Sequence, residues 1–518
     1  MPAVSENRRI VKNTMYLYLQ MIILLIVGLF TSRVTLAALG VSDYGIYNVV
    51  GGIVSMFVFI NYAMINSTQR YITYELGRGD QKRLSLIFST SINIHAIISF
   101  IIIVLSETVG LWFFYNKMTI PQERMNAAFW VFQFSIIACF VNIMSVPYNA
   151  LIIAHEKMSA FAYISLLDAV MKLGIVYLLI VYSDDRLILY GLLVLLVTII
   201  DRVIYGQYCI RKFPESKYNY VIDKPLMKEM TKFASWNLLG NLSYVCYTQG
   251  LNLLLNVFFN PVVNAARGIA VQIQTVVANF SYNVENAIKP QITKSYAQQD
   301  MRRMHSLIFV SAKVAFYVLL LISLPIMLEA NLLLNLWLVE VPEHTVNFVR
   351  LTVLTLLTES LTNPLLTAAQ ATGDMKKYQF SVSLLCLLIL PVSYAALLIM
   401  PVPELVFIVS IVFSIITQFV KLWIVSRQIS LSKSFYLKEV FLRTLGVFSL
   451  SLVLVSPLLF MMDDGIVRLI TLTMLSCIVI LLSTYMFGIN KNERHIVNEK
   501  SLFFINKYIK RELCPKYP

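Results

Sequence analysis

Two stretches decide the reading of this chain. Tyr62–Phe88 runs YAMINSTQRYITYELGRGDQKRLSLIF, and Tyr282–Phe309 runs YNVENAIKPQITKSYAQQDMRRMHSLIF. Tyr62, Asn66, Ile72-Thr73, Asp80 and Lys82-Arg83 of the first recur at unchanged spacing as Tyr282, Asn286, Ile292-Thr293, Asp300 and Arg302-Arg303. One extra residue then precedes the second Ser-Leu-Ile-Phe. In each stretch an apolar helix runs down to a charged turn and a new apolar helix starts. A chain that repeats such a unit reads as two similar halves in one membrane.

Composition sets the class. Of 518 residues, 58% are hydrophobic and only 14% charged, against about 25% charged in a soluble protein. Apolar runs of about 20 residues recur along the whole length, each long enough to cross a bilayer as a helix. They are continuous and do not alternate, which excludes a barrel. The expected fold is an all-α polytopic membrane protein of about 14 spans, with 12 as the main alternative. The spans fall at about 14–38, 44–68, 84–106, 126–151, 160–182, 187–209, 233–258, 263–288, 306–330, 346–370, 379–400, 404–426, 440–461 and 466–488. The first is read as an uncleaved span that follows a short basic terminus.

Charge placement gives the orientation. Taking the N-terminus as cytoplasmic puts 32 of the 42 Lys and Arg residues on the cytoplasmic side, 7 outside and three within spans. This bias predicts both termini inside, and it accounts for the net charge of +14 without nucleic acid. The polar linker 211–232, with Arg211-Lys-Phe-Pro-Glu-Ser-Lys217, separates the halves. The expected organisation is a bundle over 1–210 (spans 1–6), a second over 233–428 (spans 7–12), two appended spans over 429–490 and a basic tail over 491–518.

No chemistry of catalysis is legible. There is no Gly-x-Ser-x-Gly, phosphate-binding loop or His-Glu-x-x-His, and the six cysteines have no metal or redox spacing. The expectation is a protein that is not an enzyme and needs no cofactor or metal. The informative residues are polar groups inside spans, where a charge or amide needs a cavity or a partner. Asn61, Asn66, Thr68 and Gln69 mark span 2. Asn237, Asn241, Gln249, Asn252 and Asn256 form a stripe in span 7. Gln272, Asn279, Asn283 and Asn286 form one in span 8, and Thr352, Thr355, Glu359, Thr362 and Asn363 one in span 10. They read either as the wall of a wetted path that accepts sugar hydroxyls or as bonds between helices.

Arg33, Arg70, Arg267 and Lys289 at the ends of spans 1, 2 and 8 are candidates to hold an anionic group such as phosphate. Snorkelling to the interface is the alternative reading, and Arg33 and Arg267 lean toward the ligand. Asp168 and Lys172, one turn apart in span 5, read as a self-neutralising structural or gating pair. Glu285 and Glu359 are candidates for binding a coupling ion. Asp201-Arg202 reads as an interface pair, and His95 as a satisfied polar residue.

Several motifs carry a resemblance. Asn13-Thr14 opens span 1, Leu39-Gly-Val-Ser-Asp-Tyr-Gly-Ile-Tyr47 follows it, and Glu75-Leu-Gly-Arg-Gly-Asp80 follows span 2. With 14 spans and parallel repeats, the chain resembles the Wzx-type flippases for O-antigen and capsule repeat units. These belong to the polysaccharide-transporter branch of the multidrug/oligosaccharidyl-lipid/polysaccharide (MOP) exporters. The resemblance implies a bacterial inner-membrane protein of polysaccharide or lipopolysaccharide biosynthesis. It would move an undecaprenyl-diphosphate-linked oligosaccharide between leaflets, with Arg33 and Arg267 on its basic cavity. Expected partners are that lipid-linked oligosaccharide, membrane lipids, a coupling H+ or Na+, and a glycan polymerase or ligase. A small-molecule or multidrug antiporter of the same superfamily is the alternative; it would line its cavity with acids.

Overall fold

A computed structural model describes residues 2–55, 58–118, 120–181, 185–259, 261–338, 340–491 and 493–495. The side chains of Arg33, Asn61 and Tyr62, and the tail beyond residue 495, lie outside the described residues. Helices account for nearly all of the described chain. They are α1 (Pro2–Ser55), α2 (Val58–Arg78), α3 (Gln81–Leu105), α4 (Leu111–Lys117), α5 (Met125–Ala154), α6 (Met158–Val181) and α7 (Arg186–Lys212). Then come α8 (Lys224–Phe258), α9 (Pro261–Ala297), α10 (Met301–Leu328), α11 (Ala330–Trp337), α12 (Thr345–Ser360) and α13 (Asn363–Thr372). The last are α14 (Lys376–Ile399), α15 (Glu404–Gln428), α16 (Lys433–Tyr436), α17 (Arg443–Val455), α18 (Leu458–Met461) and α19 (Ile466–Ser483).

Each of the fourteen expected spans falls on helix. Span 2 is divided between the end of α1 and α2, after a kink at Gly40, whose φ of +80° favours glycine. Among the described residues, ten helical segments are long and apolar enough to cross a membrane. The expected spans outside these ten are 2, 7, 8 and 10, the four that carry the polar stripes. The remaining spans present large apolar side chains outward, such as Phe100 and Val467, as contact with lipid tails requires.

The chain folds into two compact units. The first holds residues 1–249, 283–307 and 365–388, and the second holds 250–282, 308–364 and 389–518. In the first, α5 packs on α7, α1 on α6 and α2 on α5. Its apolar core includes Val50, Phe114, Ala128, Val131, Phe132 and Leu187. Segments from both sequence halves meet here, because the ends of α8, α9, α10, α13 and α14 that carry the basic turns belong to this unit. In the second unit, α12 packs on α15 and α17 on α19.

Arg468, Glu329 and Lys313, all buried in the second unit, are ion-paired, as desolvation demands. Arg468 binds both Glu329 oxygens at 2.6 and 2.9 Å, and Lys313 binds Glu493 at 2.6 and 2.7 Å.

Candidate functional site

The repeated stretches build the same turn twice. Gly79 (φ +76°) and Gln299 (φ +60°) both leave their helix through the left-handed region. Asp80 then accepts a hydrogen bond from the Arg83 N–H, and Asp300 one from the Arg303 N–H, each at 3.0 Å. Each aspartate caps the next helix, α3 or α10, and satisfies one of its unpaired N–H groups. The two copies also pack on one another. A Cβ built on Gly77 would lie 2.8 Å from the Cβ of Ala297, the residue that matches Gly77 in the second copy, and 3.1 Å from the Lys294 backbone. Only glycine permits α2 and α9 to approach so closely. Tyr74 and Tyr296 bring their rings to 6.3 Å beside this contact.

Around it lies a dense polar network at the basic end of the unit. Lys289 of α9 donates to Asn66 of α2 at 2.8 Å, with the Glu285 carboxylate one turn earlier as countercharge. Arg70 donates to the Gln370 and Ala371 carbonyls of α13 at 3.2 and 3.3 Å and lies over the rings of Tyr71, Tyr74 and Phe233. Gln370 in turn donates to Asn237 of α8 at 3.3 Å. A cavity of about 450 Å³ opens beside Arg70, lined also by Glu229, Lys232, Trp236, Asp374 and Lys376.

The network's centre was not legible in the sequence. Glu156 sits in the turn between α5 and α6 with a left-handed φ of +58° and is 3% exposed. Its carboxylate accepts from Gln291 at 2.5 Å and Lys294 at 2.6 Å, and Arg9 approaches to 3.8 Å. Its carbonyl accepts from Asn13 at 3.1 Å. Three donors and one further cation, from α1 and α9, thus converge on one residue. Beside it, His155 stacks on Phe213 and meets Glu215 at 2.5 Å. Burial works to raise the Glu215 pKa, but the His155 hydrogen bond, a backbone N–H and the His155 charge outweigh it and hold the carboxyl below its ordinary value.

The opposite end of the same unit is built differently. Arg124, at the start of α5, binds Asp43 through two nitrogens and Asp185 at 3.0 Å. Asp185 also caps α7. Arg186 donates to the Ala38 carbonyl, and Tyr47 packs edge-on against Tyr190. This clamp joins α1, α5 and α7, all from the first sequence half. Asn13, Asp43, Glu75 (paired with Arg83 at 3.2 Å) and Asp80 are four polar residues of the motifs that carried the resemblance, and each holds the fold together.

The remaining candidates are placed as follows. Arg267 is 4% exposed in α9 and donates to Asn252 of α8. Asn283 donates to the Met21 sulfur at 3.1 Å. Asn241 and Asn286 are half-buried, and Asn279 is exposed. Lys172 donates to Asp168 at 2.8 Å, and Asp201 lies close to this pair. Arg202 does not pair with Asp201 but lies over the Tyr148 ring at 3.9 Å, so this pair of neighbours points two ways. Glu359 has Lys421 as its nearby cation. His95 is buried and bonds the Ser91 carbonyl at 2.7 Å. Among the described residues, no group of three His, Cys, Asp or Glu side chains is placed to hold a metal ion.

No protein-family model matches the chain, and no curated protein matches it. Solved structures do. One is a MATE in the straight conformation, 15% identical, with a TM-score of 0.71 over 82% of this chain and 96% of that one. Another is the outward-facing conformation of a multidrug resistance MATE family transporter of the MOP superfamily, 13% identical with a TM-score of 0.67 over the same shares. A third is a MOP superfamily transporter from Pyrococcus furiosus, 14% identical with a TM-score of 0.65 over the same shares; the reverse polarity of its binding pocket suggests a different function for it. The chain has the MATE-type fold of a multi-pass helical membrane protein.

Proposed function

We propose that this protein is a flippase that carries an undecaprenyl-diphosphate-linked oligosaccharide across the bacterial inner membrane by alternating access. The observation that carries the reading is Arg267, a guanidinium 4% exposed in a spanning helix that also bears Asn279, Asn283, Asn286 and Lys289. A cation kept at such desolvation cost, on an amide-rich helix, suits a ligand with phosphates and hydroxyls. A diphosphate-sugar head cannot cross about 30 Å of hydrocarbon unaided; it needs such a surface between two moving bodies.

In this reading the bundles over 1–210 and 233–428 are those bodies, and the basic end faces the cytoplasm, as does each terminus. The packing of the two repeat copies there, fastened by Glu156, Arg70 and Lys289, is the inner gate. Opening it breaks Glu156–Lys294, Lys289–Asn66 and the Arg70 contacts together. Asp168 and Lys172 neutralise one another and hold α6. Glu359 and Glu285 remain the candidates for an H+ or Na+ coupling site.

The test is complementation of a flippase-null strain. Arg267→Ala and Lys289→Ala should each lose surface glycan while reaching the membrane at wild-type level; normal glycan in both would overturn the assignment. A second reading, an ion-coupled multidrug antiporter, draws on the buried Glu359 and on the multidrug resistance MATE among the similar structures. It predicts drug efflux that responds to the ion gradient and loses that response in Glu359→Gln, with no effect of Arg267→Ala.

A further inference from the structure

The helices after residue 432 form a site of their own. The chain enters α17 through a π-helical turn, Leu437–Leu442, and leaves α19 through another, Thr484–Gly488. Such turns are rare and often mark functional positions. The second π-turn packs against α17, and Arg443 ties the two together, donating to the Phe487 and Ile489 carbonyls at 3.3 and 3.0 Å and to Glu439 at 3.0 Å.

Between them lies a groove of about 500 Å³ lined by Lys438, Leu442, Arg443, Gly446, Leu450 and Phe487. Leu442, Gly446 and Leu450 recur at every fourth position, so they form one stripe about 12 Å long from the end of the π-turn into α17. Leu442 is 64% exposed and Phe487 54%. A Cβ on Gly446 would meet nothing within 4 Å, so the floor of the groove is open space. The cations stand at one end. Lys438 is exposed, while Glu439, the acid nearby, is buried and engaged by Arg443.

An apolar trough on a spanning helix with two cations at its head is complementary to one kind of molecule. We propose that this groove holds an anionic phospholipid of the bilayer, its phosphate at Lys438 and Arg443 and an acyl chain along Leu442, Gly446, Leu450 and Phe487. Basic pockets between spanning helices on the cytoplasmic side take such headgroups. The bound lipid bridges the two π-turns and staples α17 to the end of α19. The site uses no residue assigned to the transported ligand, so it stands whether or not the flippase reading holds.

The experiment is native mass spectrometry of the full chain in detergent, with phosphatidylglycerol and phosphatidylcholine offered in equal amounts. The wild type should retain one phosphatidylglycerol about fivefold over phosphatidylcholine, the ratio that about 1 kcal/mol from the exposed Lys438 produces, since Arg443 already has Glu439 as countercharge. Gly446→Leu fills the groove and should cut retention of both lipids, with Tm in lipid-free detergent unchanged. Lys438→Ala, a change on an exposed side chain, should bring the ratio of the two lipids toward one. Equal retention of the two lipids by the wild type, or a wild-type pattern in both variants, overturns the proposal. A dimer that Gly446→Leu splits and phosphatidylglycerol leaves intact assigns the groove to a second copy of the chain and also overturns it.

Discussion

In the first unit, the clamp on Arg124 and the network on Glu156 occupy opposite ends and do opposite work. The clamp gathers Asp43, Asp185 and the Ala38 carbonyl, all within the first 210 residues. The network gathers Arg9 and Asn13 from one half of the sequence and Gln291 and Lys294 from the other. One end fastens a bundle to itself; the other fastens two halves together. A contact of the first kind survives any motion of the halves as bodies, and one of the second kind has to break. In the proposed mechanism this difference separates scaffold from gate.

The largest expected effect breaks this comparison at its centre. Glu156→Ala strands Lys294 and Gln291, both mostly buried, and removing one partner of a buried pair costs about 3–5 kcal/mol. Chemical denaturation in detergent should show that loss. Asp43→Ala should cost less, because Arg124 keeps Asp185. Equal losses would erase the distinction between the two ends.

Gly77→Val should come next. Its side chain drives into Ala297 and the Lys294 backbone, an overpacking worth about 1–3 kcal/mol. If the contact is the proposed gate, surface glycan in the complementation assay should drop more than protein level does. Ala297→Gly should partly rescue Gly77→Ala, and the coupling in that double-mutant cycle measures the contact. Simple additivity would place the two copies apart.

The smallest effect tests the likeness of the copies themselves. Asp80→Ala and Asp300→Ala each remove a helix cap worth about 0.5–2 kcal/mol. With the same 3.0 Å bond and the same left-handed residue before each cap, the two losses in Tm should match. A large inequality would mean that the repeated sequence does not mark repeated mechanics.

Much of this was legible before the structure. The spans follow from continuous apolar runs, and the duplicated turn follows from Asp80 and Asp300 at matched spacing before basic pairs. Asp168 and Lys172 pair as their one-turn separation requires. Local signals of this kind survive in sequence because both partners lie on one helix. Glu156 carries no such signal: its donors are more than a hundred residues away on α1 and α9, and its turn is only three residues long. In sequence Gly77 reads as one glycine of a loop motif; its contact with Ala297 exists only in the fold. The Arg202 contact carries no sequence signal either, since adjacent residues on a helix point to different sides and Tyr148 belongs to another element.

The central claim is that the two repeat copies form a gate that must part for an anionic lipid-linked glycan to pass. It is tested most directly by Tyr74→Cys/Tyr296→Cys in proteoliposomes that contain an undecaprenyl-diphosphate-linked oligosaccharide, read by access of an external sugar-modifying reagent. The account predicts transport by the reduced protein, arrest when the disulfide forms, and recovery on reduction. Full transport with the disulfide closed, or none by the reduced protein while wild type transports, would contradict it.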